Sequence, residues 1–400
     1  MIACGGGGSN PPTDTPPPPP VTIAPERITF VGAGDLGIFD PSISKDPNSD
    51  RLWMSYSSVE TSAFYPSTEY WAVSIRLAYS DDNGMTWQDA GVMVAPKIET
   101  TVGPIPVIGG EIPAASDGIW QSETSSLIYD PSPESEDQRW KLIWSQYLHA
   151  DSRSLFADYA WIASKTAATP LDLATAVPVK LFSGFGLQDQ SSNAETPVFA
   201  PIGGEPQIRL NIDLQQTLGG AELQELALCV FAEPGMLATN NALYLAIYCA
   251  DLSTQPLTEN LVYFRCNSPC DMQDNQSWEY LGKLLTPEDA LSISEGHHFQ
   301  APQLVQRNDK TYLIVTPVNT NIGERYNGCR VYEFVDINSN QLLRENGNLV
   351  EVARIDGVAN THNGACSVIS ELNGGILFSQ FEAGNVAETF NIYKSQVDLP

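Results

Sequence analysis

From Pro25 onward, short apolar runs alternate with clusters of Gly, Pro, Asn, Asp and Ser, the pattern of β-strands separated by turns. Helical periodicity is confined to two short stretches, around Pro287–Ile293 and Leu171–Ala176. The strands group into recurring units. Each unit opens with a polar segment that turns apolar: FDPSIS at 39–44, SETSSLIYD at 122–130, AETPVFAP at 194–201, FQAPQLVQ at 299–306 and HNGACSVIS at 362–370. A turn follows, then a strongly apolar strand at 51–58, 139–147, 227–235, 310–317 and 375–382. A third strand comes next, at 73–82, 158–166, 242–251, 329–337 and 389–396.

Units of roughly 60–100 residues with three or four strands each are the signature of β-propeller blades. The fold class expected is therefore all-β, a five-bladed β-propeller. Six blades follow instead if 201–300 conceals another unit, and a pair of two-sheet sandwiches is the competing architecture. The segment ERITFVGAG at 26–34 is expected to supply the outer strand that closes the last blade. Ser80-Asp81-Asp82-Asn83-Gly84-Met85-Thr86-Trp87 matches the S-x-D-x-G-x-T-W Asp box of sialidase-like propellers. The resemblance implies a structural turn, with an Asp tying down amides, Gly84 in a shape other residues avoid and Trp87 packed beneath.

Composition narrows the function. Hydrophobic residues at 42% are ample for a core, whereas 48 acidic residues against 20 basic ones leave a net charge of −28. Such a field repels nucleic acid and anionic surfaces and favours neutral ligands. Seven cysteines divide into Cys4 and six others. Cys229 and Cys249 lie in two runs that read as hairpin neighbours, and Cys266 and Cys270 bracket a short loop, leaving Cys329 and Cys366. Disulfides in an oxidising compartment are expected, the alternative being cysteines buried as small apolar residues.

The chain opens Met1-Ile2-Ala3-Cys4 and continues GGGGSNPPTDTPPPPP. A small residue before Cys, followed by Gly, Ser and Pro, resembles the processing site of bacterial lipoproteins. That resemblance implies lipidation at Cys4, a flexible tether over 1–24, a propeller over 25–400, and an exported protein, held as an outer-membrane lipoprotein in the periplasm or at the cell surface. The charged and apolar signal region that belongs ahead of the Cys does not appear here.

In a propeller the innermost strand of each blade lines the central channel, so side chains at its start converge on one mouth. The five opening segments bring Asp40, Glu123, Glu195, Gln300 and His362 there. Gathered carboxylates are the material of glycosidic acid/base chemistry, one held protonated while another activates water or attacks the sugar. Phe39-Asp40-Pro41-Ser42-Ile43 resembles the first-blade motif of five-bladed glycosidases of the arabinanase and β-xylosidase type. The resemblance implies that Asp40 is the base or nucleophile and that His362 matches the central His of that family. Glu195, in Glu195-Thr196-Pro197, is the remaining candidate acid, and Glu123 a carboxylate that tunes the other two.

The pattern departs at the fourth segment, where Gln300-Ala301-Pro302 has an amide in place of the family's acid. Either Glu195 or Glu123 takes the acid role through a different blade order, or the mouth binds sugar without cutting it. Gln300 is then a hydrogen-bonding contact, His298 a residue facing the mouth, and Trp120 a ring on which sugar stacks or a core residue. Asp before Pro also starts turns, and His beside Asn-Gly also sits in them. The resemblance allows a calcium ion in the channel, with no ligand motif to hold it. No helix follows the glycines at 32–37, so no nucleotide-binding loop is expected.

Three functions remain open. The first is a surface-anchored glycoside hydrolase-like propeller acting on a neutral poly- or oligosaccharide. The second is a glycan-binding or scaffold lipoprotein. The third is a sialidase-type exoglycosidase, which requires three arginines at the mouth, drawn from Arg76, Arg209, Arg265, Arg325 and Arg354.

Overall fold

Strand pairing in the computed structural model resolves the repeating units into five blades. The structure describes residues 25–32, 34–61, 71–101, 105–107, 110–112, 117–150, 153–154, 160–183, 199–200, 226, 229–251, 258–273, 277–293, 296–319, 325–358, 361–369, 372, 375–382, 390–397 and 399. Cys4 and the rest of the expected leader lie outside them.

Blade one runs outward through Gly37–Lys45, Leu52–Thr61, Trp71–Ser80 and Thr86–Val94. Blade two has Asp117–Tyr129, Trp140–Ala150, Ala160–Ala167 and Val179–Ser183. Blade three is Cys229–Ala238, Ala242–Asp251, Thr258–Asn267 and Trp278–Leu285. Blade four is His298–Arg307, Lys310–Asn319, Cys329–Asp336 and Glu351–Ile355. Blade five is Thr361–Ser367, Gly375–Glu382 and Asn391–Gln396, completed by Glu26–Arg27. The expected closing segment is thus divided. Glu26–Arg27 closes blade five, and Thr29–Val31 continues in parallel alongside Thr86–Val94 of blade one.

The third unit differs from the sequence expectation. Phe199–Ala200, at the end of the expected opening segment, pairs with Lys97–Thr101, which itself extends the sheet of blade two. Cys229–Ala238, expected to be a second strand, is the inner strand of blade three. Inner and second strands are both covered on two faces, so apolarity alone does not separate them.

Apolar side chains fill the five gaps between blades, which is where a propeller keeps its core. Ile143 and Ile162 meet Phe231 and Leu245 between blades two and three. Tyr244 and Leu261 meet Leu313 and Tyr332 between three and four, and Ile314 and Val331 meet Ile376 and Phe378 between four and five. Met54 and Trp87 meet Leu377 and Ile392 where the ring closes. Trp53 and Leu77 meet Leu142 and Trp144 between one and two. Disulfides join Cys229 to Cys249, Cys266 to Cys270 and Cys329 to Cys366, the last linking blades four and five. Bridges of this kind persist in oxidising compartments, which suits an exported protein. No helix among the described residues is long and apolar enough to cross a membrane.

The turn Ser80–Trp87 joins the third and outer strands of blade one. Asp82 accepts from the Thr86 amide at 2.9 Å and from its hydroxyl at 2.6 Å. Gly84 sits at φ +79°, and the fully buried Trp87 donates to the Gly84 carbonyl at 3.1 Å.

Each inner strand carries one bulge, and in each the extra residue adopts a positive φ: Asp40 (51°), Thr124 (52°), Glu233 (50°), Ala301 (46°) and Ala365 (49°). A bulge leaves its amide without a partner in its own ladder, and a buried amide needs one. Four of the five find a short hydroxyl on the second strand of the preceding blade. Asp40 N donates to Ser379 Oγ at 2.7 Å, Thr124 N to Ser57 Oγ at 3.1 Å, Glu233 N to Ser145 Oγ at 2.7 Å and Ala365 N to Thr316 Oγ1 at 2.8 Å.

A second ring lies deeper in the channel. Ser42 accepts from Leu127 N at 3.0 Å, Ser126 from Met236 N at 3.0 Å, Gln303 from Val368 N at 2.9 Å and Ser367 from Ile43 N at 3.1 Å. Both rings are interrupted between blades three and four. Tyr248 stands where the others have Ser or Thr, and Gly235 where they have Ser or Gln.

At Gly235 the two backbones approach so closely that an added Cβ would lie 2.0 Å from the Pro302 carbonyl oxygen. Gly235→Ala is expected to destabilise the fold by about 1–3 kcal/mol, as overpacking does, measured by urea unfolding. An unchanged midpoint would mean that blades three and four do not meet there.

Candidate active site

The bulges decide which side chains reach the channel mouth. Asp40 and Glu233 occupy equivalent places in blades one and three, and Glu123 stands one residue ahead of the blade-two bulge. The channel beside the bulges is lined by Asp40, Thr124, Pro234 and Ala301 among others.

Asp40, only 4% exposed, accepts from Thr124 Oγ1 at 3.2 Å and Ser57 Oγ at 3.3 Å. Burial, with Glu123 and Glu233 adding repulsion, pushes its carboxyl well above the usual range. Burial and the charge of Glu233 push Glu123 up to about 7, opposed by a hydrogen bond from Tyr147. Burial also raises Glu233, against three opposing influences: the Ala301 amide, which donates to Oε2 at 2.6 Å, the Tyr326 hydroxyl, which donates to Oε1 at 2.9 Å, and the nearby His298. These groups act on one another directly. Tyr147 feels Glu123 and Asp40, and Tyr326 feels all three carboxyls, so they form one electrostatic unit.

Beside Glu233 lies a polar cluster at the junction of blades three and four. His298, 2% exposed, has Nδ1 2.8 Å from Glu259 Oε2 and Nε2 3.2 Å from Gln300 Nε2. Tyr248 donates to Glu259 and also bonds Gln300. Glu259 is held below the usual carboxylate range by His298 and Tyr248 in spite of partial burial.

The sequence-derived candidates divide as follows. Asp40 and Glu123 lie near enough for the charge of Glu123 to raise Asp40. Glu195 lies outside the described residues, and Glu233 is the third-blade carboxyl at the bulge. Gln300 sits one residue ahead of the fourth bulge, tied to His298 and Tyr248. His298 is buried, between Glu259 and Gln300. His362 stacks on Phe381 at 4.3 Å, with Tyr326 edge-on at 6.5 Å. Trp120 is buried against Trp161 at 4.3 Å, the core alternative.

Glu233, Tyr147, Tyr326 and Glu259 were not singled out from sequence. The signal for Glu233 was available: a carboxylate directly before Pro, as at Asp40-Pro41. Among the described residues no group of three or more His, Cys, Asp or Glu side chains is gathered as a metal-binding set. Arg76, Arg265, Arg330 and Arg354 pair with Asp89, Glu279, Glu351 and Asp356 on third and outer strands, away from the sialidase requirement. Arg209 and the side chain of Arg325 lie outside the described residues.

No known family's sequence model matches the chain, and no curated protein does. Similar solved structures include a family 117 glycoside hydrolase from the marine bacterium Zobellia galactanivorans. It is 11% identical, with 94% of this chain and 89% of that one covered, at a TM-score of 0.47. A thermostable family-43 glycoside hydrolase is 10% identical, with 92% of each chain covered, at 0.47. The family-43 endo-arabinanase of Bacillus licheniformis is 13% identical, with 92% and 96% covered, at 0.43.

The Glu123 shift has a sign that stability can report. Between its ordinary pKa of 4.5 and its folded value of about 7, the folded chain holds a proton that the unfolded chain has lost. Stability therefore falls as pH rises through that window, by at most about 1.4 kcal/mol per unit. Glu123→Gln is expected to flatten this slope, raising Tm above about pH 7 and leaving it unchanged near pH 4. Parallel Tm curves for the two proteins would show that Glu123 titrates normally.

Proposed function

We propose that the protein is a glycoside hydrolase-like propeller that cleaves a neutral poly- or oligosaccharide with paired carboxyl groups. One observation carries this reading: the buried Asp40 and the half-buried Glu123 and Glu233 lie close enough to act on one another's charge, and each is pushed toward its protonated form. Like charges this near one another disfavour ionising all three together, so their titrations are coupled. One can then give a proton while another receives one.

Glu233 is the acid in this proposal, taking the role expected of Glu195. It donates its proton to the glycosidic oxygen as the carbon–oxygen bond breaks. Asp40 takes a proton from the attacking water, or attacks the sugar carbon itself. Glu123 tunes both. An oxocarbenium-like transition state brings positive charge against Asp40 and favours its ionised form when that form is needed. The −28 charge and the arginines paired elsewhere support a neutral sugar. Cys4, if lipidated, would tether the exported propeller to a membrane through the Pro-rich segment.

The test uses two leaving groups. Glu233→Gln should lower kcat by roughly 10²–10⁴ on natural glycosides. It should cost much less on nitrophenyl glycosides, whose leaving group needs no proton. Asp40→Asn should slow both. Full activity of Glu233→Gln on natural glycosides would remove its role. Glycan binding without turnover by the unaltered protein would favour the scaffold reading instead.

A further inference from the structure

The two acceptor rings fail at the same junction, and that junction holds Glu233. In blades one, two, four and five, the second-strand residue opposite the position before the bulge is Ser57, Ser145, Thr316 or Ser379. In blade three it is Tyr248, opposite Ala232. The Tyr248 hydroxyl turns to Glu259 and does not reach the next bulge. The Ala301 amide, which by the pattern of the ring would bond that position, donates instead to Glu233 Oε2 at 2.6 Å. Gly235 completes the arrangement, because its missing side chain lets blade four come close enough to deliver the amide.

We propose that Tyr248 is a positioning residue for Glu233: by standing where the other blades have a short hydroxyl, it leaves the Ala301 amide free to fix the Glu233 carboxylate. The chain gives up one link of the ring and uses the released donor to orient and charge-stabilise a carboxyl at the mouth. Tyr326 supplies the second donor, so both oxygens of Glu233 are held. The charged and titratable groups around Glu233 are Asp40, Glu123, Tyr326, His298, Glu259 and Tyr248 itself. Among the influences opposing burial at Glu233, the Ala301 amide stands first. The catalytic importance of this device rests on the function proposed above, but its existence does not.

The experiment therefore reads Glu233 without substrate. Carboxyl titration is followed by isotope-edited infrared difference spectra, with Glu233→Gln identifying the Glu233 band. In Tyr248→Ser the new hydroxyl restores the ring acceptor and withdraws the amide, so Glu233 should titrate higher by about one pH unit. Tyr248→Phe offers no acceptor and should leave the titration within a few tenths of a unit of the original. Tyr248→Thr repeats the Ser result with a smaller cavity.

Equal shifts in the Ser and Phe variants would overturn the proposal, since the effect would then come from the lost bond to Glu259. No shift in Ser or Thr would also overturn it. So would failure of both to fold, which would make Tyr248 a core residue. Where turnover is measured, the alkaline limb of kcat should move upward with the Glu233 titration in Tyr248→Ser and not in Tyr248→Phe. Loss of turnover in all proteins with the infrared shift intact would defeat the hydrolase reading alone.

Discussion

A bulge in a buried strand creates an amide that its own sheet cannot satisfy, and this chain meets that need at all five inner strands. Leaving such a group unpaired costs about 1–3 kcal/mol each time. Four of them are satisfied by a Ser or Thr on the preceding blade, so the requirement of one sheet becomes a link between two. The deeper ring of Ser42, Ser126, Gln303 and Ser367 repeats the device. Apolar packing between blades supplies cohesion without direction; these bonds set how far each blade is turned against the next. The direction in which Asp40 and Glu233 point follows from that, because each occupies a bulge.

Positive φ at non-glycine residues is costly, and a β-branched residue such as Thr124 makes it more so. Burying carboxyls beside one another is costly as well. Both costs fall on the same short stretch of the inner strands of blades one, two and three. The surrounding structure over-determines that stretch through closed sheets, five apolar interfaces and a disulfide across blades four and five. The hydroxyls of Tyr147 and Tyr326 then moderate the burial of Glu123 and Glu233 without neutralising it. A carboxyl that is half open, hydrogen-bonded and crowded by like charge is poised between protonation states, which an isolated surface carboxylate is not.

Much of this was legible beforehand, for identifiable reasons. Strand and turn spacing revealed the blades because apolar runs broken by Gly, Pro and Asn leave few other folds. Asp40 stood out because Asp-Pro follows an apolar residue at the head of a unit, and Glu123 because it heads the next. The third blade was misplaced because 227–235 is as apolar as any second strand. Long intervening sequence, 201–225, offered no marker of where the next unit begins. Glu233-Pro234 carried the same signature as Asp40-Pro41 and outweighs apolarity as a guide. His298 was expected to face the mouth; it is nearly fully buried and held by Glu259, a partner too distant in sequence to be read from it. Hydroxyl rings are invisible in sequence, since serines and threonines are common and only the register makes them equivalent.

The pairing of Glu26–Arg27 with Asn391–Gln396 has a consequence for how the molecule comes into being. Residues made early complete a blade that is made last. Until the final strands emerge, blade five lacks its partners and blade one has an uncovered flank, so the circle cannot shut on a partial chain. Four blades must wait, with apolar faces exposed at both ends, for a contact spanning nearly the whole sequence. Closure through so distant a contact comes late, so the open ring, with its apolar flanks uncovered, is the state in which misassembly competes with folding.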